Sequence, residues 1–399
     1  MTTNHVESNG VRAAQLLDPF ATLTDAALDR APICGWTHDF YRYPARFSPS
    51  FARAAIEQFS SPGDLIVDPY MGGGTTVVEG MVAGRDVLGN DLNALAVFIT
   101  RVKTGGLSPR EASAVRVWAE RTVPTLSYAT PNDLVAPFID TAKTKNLSAY
   151  RARFLKKTIA AALATIADLP LGRAQMFAQC AVLRVGQWAL DGKKKPTSPS
   201  EFRSRLGRLT VEMLSSLTRF STTARRHGGR ATLLNMDAAV LDQAAFFRHN
   251  KKRVSLVVTS PPYAGVHVLY HRWQVDGRRE TPAPYWITGC KDGQGASYYN
   301  FGDRRQANAD RYFDMSLRTL CGIRNVLRDG AHVVQMVAFS RPDEQLPRYL
   351  HNMYLAGFSE VSWAGKDRIW RQVPNRKWHA TFFGRTNAAC EVVLVHRAV

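Results

Sequence analysis

Two short segments of the chain combine residue types and spacings that could do chemistry. The first, Asp68-Pro-Tyr-Met-Gly-Gly-Gly-Thr-Thr76, joins a short apolar run to a helix-like one. Its glycines permit positive φ and let a ligand approach the backbone without meeting a Cβ. The first N–H groups of the following helix have no partner within the helix and suit a polar or anionic group. The alternative is a tight strand-to-helix turn in which an aspartate only caps the helix.

The glycine turn differs from two familiar phosphate-binding loops. No Gly-Lys-Thr follows it, as in a Walker loop, and its glycines do not have the GxGxxG spacing. Asp91 stands at the end of the next predicted strand, where an acid typically accepts hydrogen bonds from ribose hydroxyls. The turn and this acid together indicate a site for a ligand that contains a ribose.

The second segment, Ser260-Pro-Pro-Tyr263, ends an apolar strand predicted over Val254–Thr259. Two consecutive prolines stop the strand, fix the backbone and remove two N–H donors. The rigid turn therefore offers a hydroxyl oxygen, backbone carbonyls and an aromatic face. These groups suit a planar base with an exocyclic amine, whose hydrogens need acceptors and whose ring can stack on tyrosine. The alternative is a proline-rich loop with a packed tyrosine.

Strands that alternate with helices must position both segments. We predict strands over 64–68, 86–90, 231–235, 254–259, 331–338 and 391–396, and helices over 75–83, 94–103, 264–275 and 309–327. This alternation predicts an α/β fold with a largely parallel sheet covered on both faces. Three further helices, predicted over 148–167, 174–190 and 199–225, interrupt the alternation and indicate a large helical insertion.

The charge of the chain is concentrated in that insertion. The 399 residues include 52 Lys and Arg against 33 Asp and Glu, a net charge of +19. Residues 1–100 carry 6 basic and 11 acidic side chains (net −5), residues 101–253 carry 27 and 10 (net +17), and residues 254–399 carry 19 and 12 (net +7). A basic segment between less charged ones indicates a docking surface for a polyanion, most often nucleic acid. The candidate phosphate contacts are Lys193, Lys194, Lys195, Arg225 and Arg226. The alternative is that these side chains only solvate a loop and helix faces.

Several classes of protein do not fit the sequence. The five cysteines form no CxxC pair, which argues against a zinc module and a disulfide framework and suits a reducing cytosol. No apolar run reaches the roughly 18 residues of a membrane span, and the first residues show no secretory pattern. His267 and His271 have the spacing of two metal ligands on one helix face, but no third ligand accompanies them, so we predict no metal site.

Together, the glycine turn and Thr259-Ser-Pro-Pro-Tyr263 resemble motifs of the amino-group DNA methyltransferases that use S-adenosylmethionine. The serine at the start of the tetrad is similar to the subgroup that methylates cytosine at N4. Tyr43-Pro-Ala-Arg-Phe-Ser-Pro49 resembles the family segment that closes over the methionine part of the cofactor, and Asn235-Met-Asp237 resembles the segment that meets its adenine. Val373-Pro-Asn-Arg-Lys-Trp378 also resembles a family segment.

The resemblance implies a Rossmann-like, class I methyltransferase sheet. The catalytic domain would comprise residues 36–104 and 231–399, after an N-terminal extension over 1–35. Residues 105–230 would be a basic helical insertion that binds DNA and helps to recognise the target. The implied cofactor-binding residues are Phe47, Pro49, Asp68, Pro69, Tyr70, Gly72, Gly73, Gly74, Thr75, Asp91 and Asp237.

The implied reaction is direct methyl transfer to the amine nitrogen of a base flipped out of duplex DNA. Ser260, Pro261, Pro262 and Tyr263 would be the catalytic residues, with the Ser260 hydroxyl and the Pro261 carbonyl accepting the amine hydrogens. The resemblance also implies a cytoplasmic, nucleoid-associated enzyme of a restriction–modification system with a cognate endonuclease. Three alternatives stay open: methylation of adenine N6, methylation of an RNA base, and a non-catalytic nucleic-acid-binding protein that retains the fold.

Overall fold

The computed structural model describes the chain over residues 19–43, 47–149, 152–170, 172–249, 253–264, 272–275, 279–293, 299, 301, 310–339, 341–362, 368–373 and 389–399. The strands are β1 (Leu65–Asp68), β2 (Asp86–Asn90), β3 (Arg230–Leu234), β4 (Val254–Thr259), β5 (Trp273–Val275), β6 (Arg279–Thr281), β7 (Leu327–Ala338), β8 (Phe358–Glu360), β9 (Arg368–Val373) and β10 (Ala389–Ala398).

Helices flank these strands. They are α1 (Pro19–Leu28), α2 (Pro49–Phe59), α3 (Thr75–Val82), α4 (Ala94–Thr104), α5 (Pro109–Val117), α6 (Asn132–Val135), α7 (Ala152–Ile166), α8 (Arg173–Leu190), α9 (Pro199–His227), α10 (Ala245–His249), α11 (Ala283–Thr288), α12 (Asp310–Arg324) and α13 (Pro342–Leu355). Within the described ranges, none of them is both long enough and apolar enough to span a membrane.

Eight of the described strands form one sheet in the order β3-β2-β1-β4-β7-β10-β8, with β9 also paired to β10. The first five are parallel, and β10 runs antiparallel to β7, β8 and β9. Strands β1 and β4 are buried at every residue, as expected when helices cover both faces of a parallel sheet. This arrangement confirms the predicted Rossmann-like α/β fold.

The parallel register gathers the ends of distant segments at one edge of the sheet. Leu65 to Asp68 pair with Asp86 to Gly89 on one side, and Ile66 and Val67 pair with Leu256 and Val257 on the other. The carboxyl ends of β1, β2, β3 and β4 therefore lie side by side. Ligands of open α/β sheets bind at this edge, which we call the carboxyl edge.

The helix predicted over 264–275 is wrong in its last part. Trp273–Val275 form the strand β5, which pairs antiparallel with β6 in a separate two-stranded sheet. Trp273 and Val275 are buried, whereas Gln274 between them is exposed, and this alternation of burial is that of a strand. The indole Nε1–H of Trp273 donates to the Tyr41 hydroxyl at 3.0 Å, so tertiary contact overrides local helix preference. Residues 265–271 of this segment lie outside the described ranges.

The helices of residues 105–230 share a hydrophobic core with the sheet. The buried side chains of α7, α8 and α9 belong to the same cluster as those of α2, α3 and α4. Helix α9 begins with a capping box, in which the Ser198 side chain accepts from the N–H of Glu201, and ends at Gly228 with a φ of 75°. Residues 105–230 are thus packed against the sheet and its helices rather than tethered to them by flexible linkers.

A buried ionic cluster fastens the segment before α2 to helix α3. Glu79 of α3 accepts from both Nε and Nη2 of Arg53 at 2.9 and 2.7 Å, and it contacts His38 Nε2 at 2.7 Å. His38 and Glu79 are fully enclosed. Since a buried carboxylate without partners is costly, this cluster fixes where residues 38–43 lie over the sheet.

We expect Glu79→Ala to lower the free energy of unfolding by roughly 2–4 kcal/mol, because it leaves a cavity and removes the partner of a buried histidine. Urea denaturation measures the loss. Glu120→Ala is the control: this exposed carboxylate lies 3.8 Å from Arg116, and its removal should cost less than about 0.5 kcal/mol. Equal losses for the two variants would contradict the anchoring role of Glu79.

Candidate functional site

The glycine turn at the carboxyl edge is closely packed from two sides. Gly74 has a φ of 73° and precedes the first residue of α3, and a Cβ there would lie 2.5 Å from Thr100 Oγ1. A Cβ on Gly72, whose φ is 46°, would lie 3.1 Å from Tyr43 Cε1. Both positions therefore require glycine, for conformation as well as for space.

Asp68 ends β1 inside this turn. It is 2% exposed, and its Oδ1 accepts from the Thr259 hydroxyl at 2.7 Å and from the Tyr70 N–H at 3.2 Å. Burial raises the pKa of the Asp68 carboxyl to about 7, against the lowering effect of hydrogen bonds from Thr259, Thr76 and Tyr70. The contact with Thr259 joins the glycine turn to the strand that carries Ser260.

Asp91 closes on the glycine turn from the neighbouring strand. Its Oδ2 accepts from the Gly72 N–H at 2.9 Å and its Oδ1 from the Asn93 N–H at 2.8 Å. Burial raises the pKa of Asp91 to about 6, although both backbone hydrogen bonds lower it. A carboxylate held by two backbone donors at the carboxyl edge has the position expected of the ribose acid.

The third predicted acid, Asp237, follows β3. Its Oδ1 accepts from the Ala239 N–H at 2.9 Å, so the side chain caps the short 3₁₀ helix that starts at Ala238. Nearby, the Asn235 amide donates to the carbonyls of Asp91 and Leu92 at 2.8 and 3.0 Å. The acids from β1, β2 and β3 thus stand on three adjacent strand ends.

Asn90 is a site residue that the motif search missed. Its side chain is fully buried, donates to the carbonyls of Pro69 and Met236, and accepts from the Met236 N–H. One amide thereby clamps the loops after β1 and β3 to the end of β2. An asparagine at the end of an otherwise apolar strand is the sequence signal that could have revealed it.

The residues predicted to cover the cofactor differ in whether they contact the glycine turn. The Tyr43 ring lies over Gly72 and Gly73, whereas Phe47 is buried against Phe51 with ring centroids 5.4 Å apart. Pro49 is the first residue of α2. Tyr70 packs its ring on Phe301, 5.9 Å away. Of the described residues of this segment, Tyr43 is therefore the one that lies against the glycine turn. Residues 44–46 lie outside the described ranges.

Lys103 is a second residue that the motifs did not indicate. It is fully buried on α4, and its Nζ donates to the Gly73 carbonyl at 2.5 Å. The contact places the Lys103 amino group directly behind the glycine turn. An isolated lysine near the end of a predicted helix gives no sequence signal for this role.

The Ser-Pro-Pro-Tyr turn carries a chain of hydrogen bonds. The Ser260 hydroxyl donates to the Tyr263 hydroxyl at 3.1 Å, which in turn donates to Glu391 Oε1 at 3.2 Å. On the other side, the Tyr312 hydroxyl donates to the Pro262 carbonyl at 2.8 Å. Glu391 and Tyr312 belong to no motif in the sequence. They contact the turn only because the fold brings their strand and helix next to it.

The predicted DNA contacts lie at two opposite places. The loop of Lys193, Lys194 and Lys195 pairs with the β5–β6 hairpin, since the Gly192 N–H donates to the Gln274 carbonyl at 2.8 Å. Neighbouring Trp273 contacts Tyr41, whose ring packs against Tyr43, so this loop lies on the side of the glycine turn.

Arg225 and Arg226 lie at the other end of α9. They occupy its last turn, directly before β3, at the amino edge of the parallel strands. The 29 residues of α9 span about 44 Å at 1.5 Å per residue. The structure therefore does not bring these arginines together with the lysine loop or with Ser260.

The described residues contain no group of three or more His, Cys, Asp or Glu side chains that could hold a metal ion. His267 and His271, considered as a pair of ligands above, lie outside the described ranges. So does most of the 373–378 segment, of which only Val373, the last residue of β9, is described.

Comparison with known proteins confirms the resemblance over the first part of the chain. Residues 28–100 match a family described as DNA methylase, of the N6 and N4 type. The Type II methyltransferase M.MvaI of Kocuria varians is 36% identical over 80 residues, which are 19% of this chain and 18% of that protein. The Type II methyltransferase M.MjaII of Methanocaldococcus jannaschii is 33% identical over 66 residues, or 16% of this chain and 12% of that protein.

The chain thus matches less than a fifth of the length of either curated relative, and the family match ends before Ser260. Among solved structures, the rRNA methyltransferase aviRa of Streptomyces viridochromogenes aligns with 92% of this chain and 94% of its own, at 11% identity and a TM-score of 0.36. TrmN of Thermus thermophilus aligns with 91% of this chain over 52% of the TrmN chain, at 12% identity and a TM-score of 0.34. Both scores are low, so the sheet topology and not these alignments defines the fold.

The raised pKa of Asp68 makes stability depend on pH in a definite direction. Between pH 3.8 and about 7 the folded chain keeps a proton on this carboxyl that the unfolded chain has lost. The free energy of unfolding therefore falls as the pH rises through this window, by up to roughly 4 kcal/mol for this group alone.

Asp68→Asn should flatten this dependence, and denaturant unfolding at pH 5 and pH 8 measures the change. Asp343→Asn removes an exposed carboxylate and serves as the control. If the free energy of unfolding of Asp68→Asn differs between pH 5 and pH 8 as much as that of the wild type, the Asp68 carboxyl is not the group responsible.

Proposed function

We propose that the protein is a DNA methyltransferase that transfers the methyl group of S-adenosylmethionine to the exocyclic N4 amine of cytosine in duplex DNA. The observation that carries the proposal is the hydrogen bond of 2.7 Å between Thr259 and Asp68. It places the Ser-Pro-Pro-Tyr turn beside the glycine turn on adjacent parallel strands. A site for a nucleoside-containing cofactor and a site for an aromatic amine thus meet at one edge.

The residues at this edge fit the cofactor. Its methyl-bearing sulfonium supplies the electrophile, while the chain supplies three acids on successive strand ends. We assign Asp68 to the cofactor amino group, Asp91 to the ribose hydroxyls and Asp237 to the adenine amine. The glycines let Tyr43 and Thr100 pack directly against the turn, because a Cβ on Gly72 or Gly74 would meet these side chains.

The tetrad then acts on the target base. The amine nitrogen of cytosine is a poor nucleophile because its lone pair is delocalised into the ring. Hydrogen bonds from the amine to the Ser260 hydroxyl oxygen and the Pro261 carbonyl favour a pyramidal nitrogen and localise the lone pair. In-line placement against the methyl group provides much of the remaining acceleration. Tyr263 stacks on the flipped base and offsets part of the cost of unpairing it.

The lysine loop is the proposed contact to the duplex. Lys194 and Lys195 are exposed, whereas the Lys193 ammonium lies 5.2 Å from the centre of the Trp188 ring. The loop is hydrogen-bonded to β5, and Trp273 of β5 contacts Tyr41. The Tyr41 ring in turn packs against Tyr43 at the glycine turn. Its ammonium groups can therefore hold phosphates while the base enters the site.

The two curated relatives are named Type II methyltransferases, which supports a DNA-modifying enzyme. We further propose that it works with a restriction endonuclease and acts in the cytoplasm on nucleoid DNA. Serine at the start of the tetrad is the feature that favours cytosine N4 over adenine N6.

The reaction itself is tested by incubating the protein with cofactor labelled on its methyl group and unmethylated duplex DNA of high sequence complexity. Nucleosides released by digestion should carry the label as N4-methylcytosine. Label in N6-methyladenine would overturn the cytosine assignment, and label found only when RNA is supplied would overturn the DNA assignment. Ser260→Ala should retain cofactor affinity and lose most turnover, whereas an equal loss of both would show that Ser260 serves the cofactor site.

The DNA contact is tested by the salt dependence of binding. Lys194→Ala combined with Lys195→Ala should weaken binding to all sequences and reduce the slope of log K against log salt by about 2. Arg225→Ala with Arg226→Ala removes the same charge at the amino edge and is the matched control. A larger effect of the arginine pair would instead place the duplex along the far end of α9.

A further inference from the structure

The hydrogen-bond chain that starts at Ser260 ends on a buried ion pair. Glu391 lies on β10 opposite Arg371 of β9, and Arg371 Nε donates to Glu391 Oε2 at 2.8 Å. The side chains are 3% and 16% exposed, respectively. Arg371 also donates through Nη1 to the Ala27 carbonyl at 2.8 Å, which ties the pair to helix α1. Glu391 is therefore fixed in place with its second oxygen, Oε1, aimed at Tyr263.

An ionised carboxylate can only accept hydrogen bonds, and this sets the direction of the whole chain. Tyr263 has a single hydroxyl hydrogen and donates it to Glu391. With that hydrogen engaged, the Tyr263 oxygen accepts the hydrogen bond from Ser260. The Ser260 hydrogen is consequently directed toward Tyr263, which leaves the lone pairs of the Ser260 oxygen as acceptors for an amine.

Acceptor character at Ser260 is what the proposed chemistry needs. A hydroxyl that rotated freely would present its hydrogen to the amine for part of the time, and an amine hydrogen cannot bond to it in that state. Burying the charges of Glu391 and Arg371 costs desolvation free energy, but the buried pair holds its hydrogen-bond partners in one arrangement. The same chain also holds the Tyr263 ring in one orientation for stacking.

We propose that Glu391, held by Arg371, is a positioning residue that orients the hydroxyls of Tyr263 and Ser260 so that Ser260 acts as an acceptor for the amine of the target base. The inference rests on the proposed function and names a part of its machinery outside the two motifs. Glu391 acts through Tyr263 and does not itself touch the base.

The test is a double-mutant cycle on methyl transfer to DNA. Glu391→Gln keeps the shape of the side chain but can donate through its amide, and Tyr263→Phe keeps the ring but removes the hydroxyl. Each single variant should lower kcat roughly tenfold to a hundredfold, with the KM values for cofactor and DNA changed less than about twofold. In the Tyr263→Phe background, Glu391→Gln should change kcat by less than about twofold.

Two measurements separate positioning from a merely structural role. Glu360→Gln breaks a more exposed pair with Arg368, at 2.8 and 3.0 Å on the same sheet, and should leave kcat unchanged. Thermal unfolding and cofactor affinity report the integrity of every variant. If Glu391→Gln does not fold, Tyr263→Phe, which leaves the ion pair intact, still tests the inference through its kcat.

The outcomes are distinct. Wild-type kcat in Tyr263→Phe, or losses from Glu391→Gln that are equal in both backgrounds, would overturn the positioning role while the proposed function stands. A wild-type protein that methylates no nucleic acid would overturn the proposed function and this inference with it. Methylation of adenine N6 with the same cycle would support the positioning role, because both amines present the same hydrogens.

Discussion

One hydrogen bond between two buried side chains joins the halves of the site. Thr259 and Asp68 are 191 residues apart in the sequence, yet their side chains meet at 2.7 Å because β1 and β4 are adjacent parallel strands. The register of this pair determines which residues extend past the strand ends. A shift by one residue would reverse the direction of every side chain and would separate the serine turn from the glycine turn. The geometry of the proposed site thus depends on ordinary strand pairing.

The helical insertion does more than carry charge. Its central helix, α8, donates from Arg184 to the Asp39 carbonyl and exchanges two hydrogen bonds between Gln187 and the backbone of Arg42. These polar contacts, together with the Glu79 cluster, hold the segment that ends at Tyr43 over the glycine turn. The same insertion places its lysine loop beside this segment. One structural unit therefore connects the proposed DNA contact with the cover of the proposed cofactor site.

The buried ionic groups show a common pattern. Glu79 and Glu391 are each nearly inaccessible, and each has one oxygen on an arginine and the other on a group that must be positioned, His38 or Tyr263. Such an arrangement costs desolvation but leaves few alternatives for the neighbouring side chains. In the part of the chain that the structure describes, Asp68 and Asp91 accept hydrogen bonds from hydroxyl and backbone N–H groups and pair with no arginine. Burial raises the pKa of both. Two of the three acids assigned to the proposed cofactor are thus buried without a cationic partner from the described residues.

The sequence by itself determined the strands β1, β2 and β4, the glycine turn, the serine turn and the α/β class, because these depend on local apolar runs and on the conformations of glycine and proline. It also located the basic insertion, since charge can be counted along a chain. It failed at 273–275, where the contact of Trp273 with Tyr41 outweighs local preference. Only the tertiary structure decided that Asn90, Lys103 and Glu391 belong to the site and that Arg225 lies far from it. These roles arise from long-range pairing, which leaves no periodicity or spacing in the sequence.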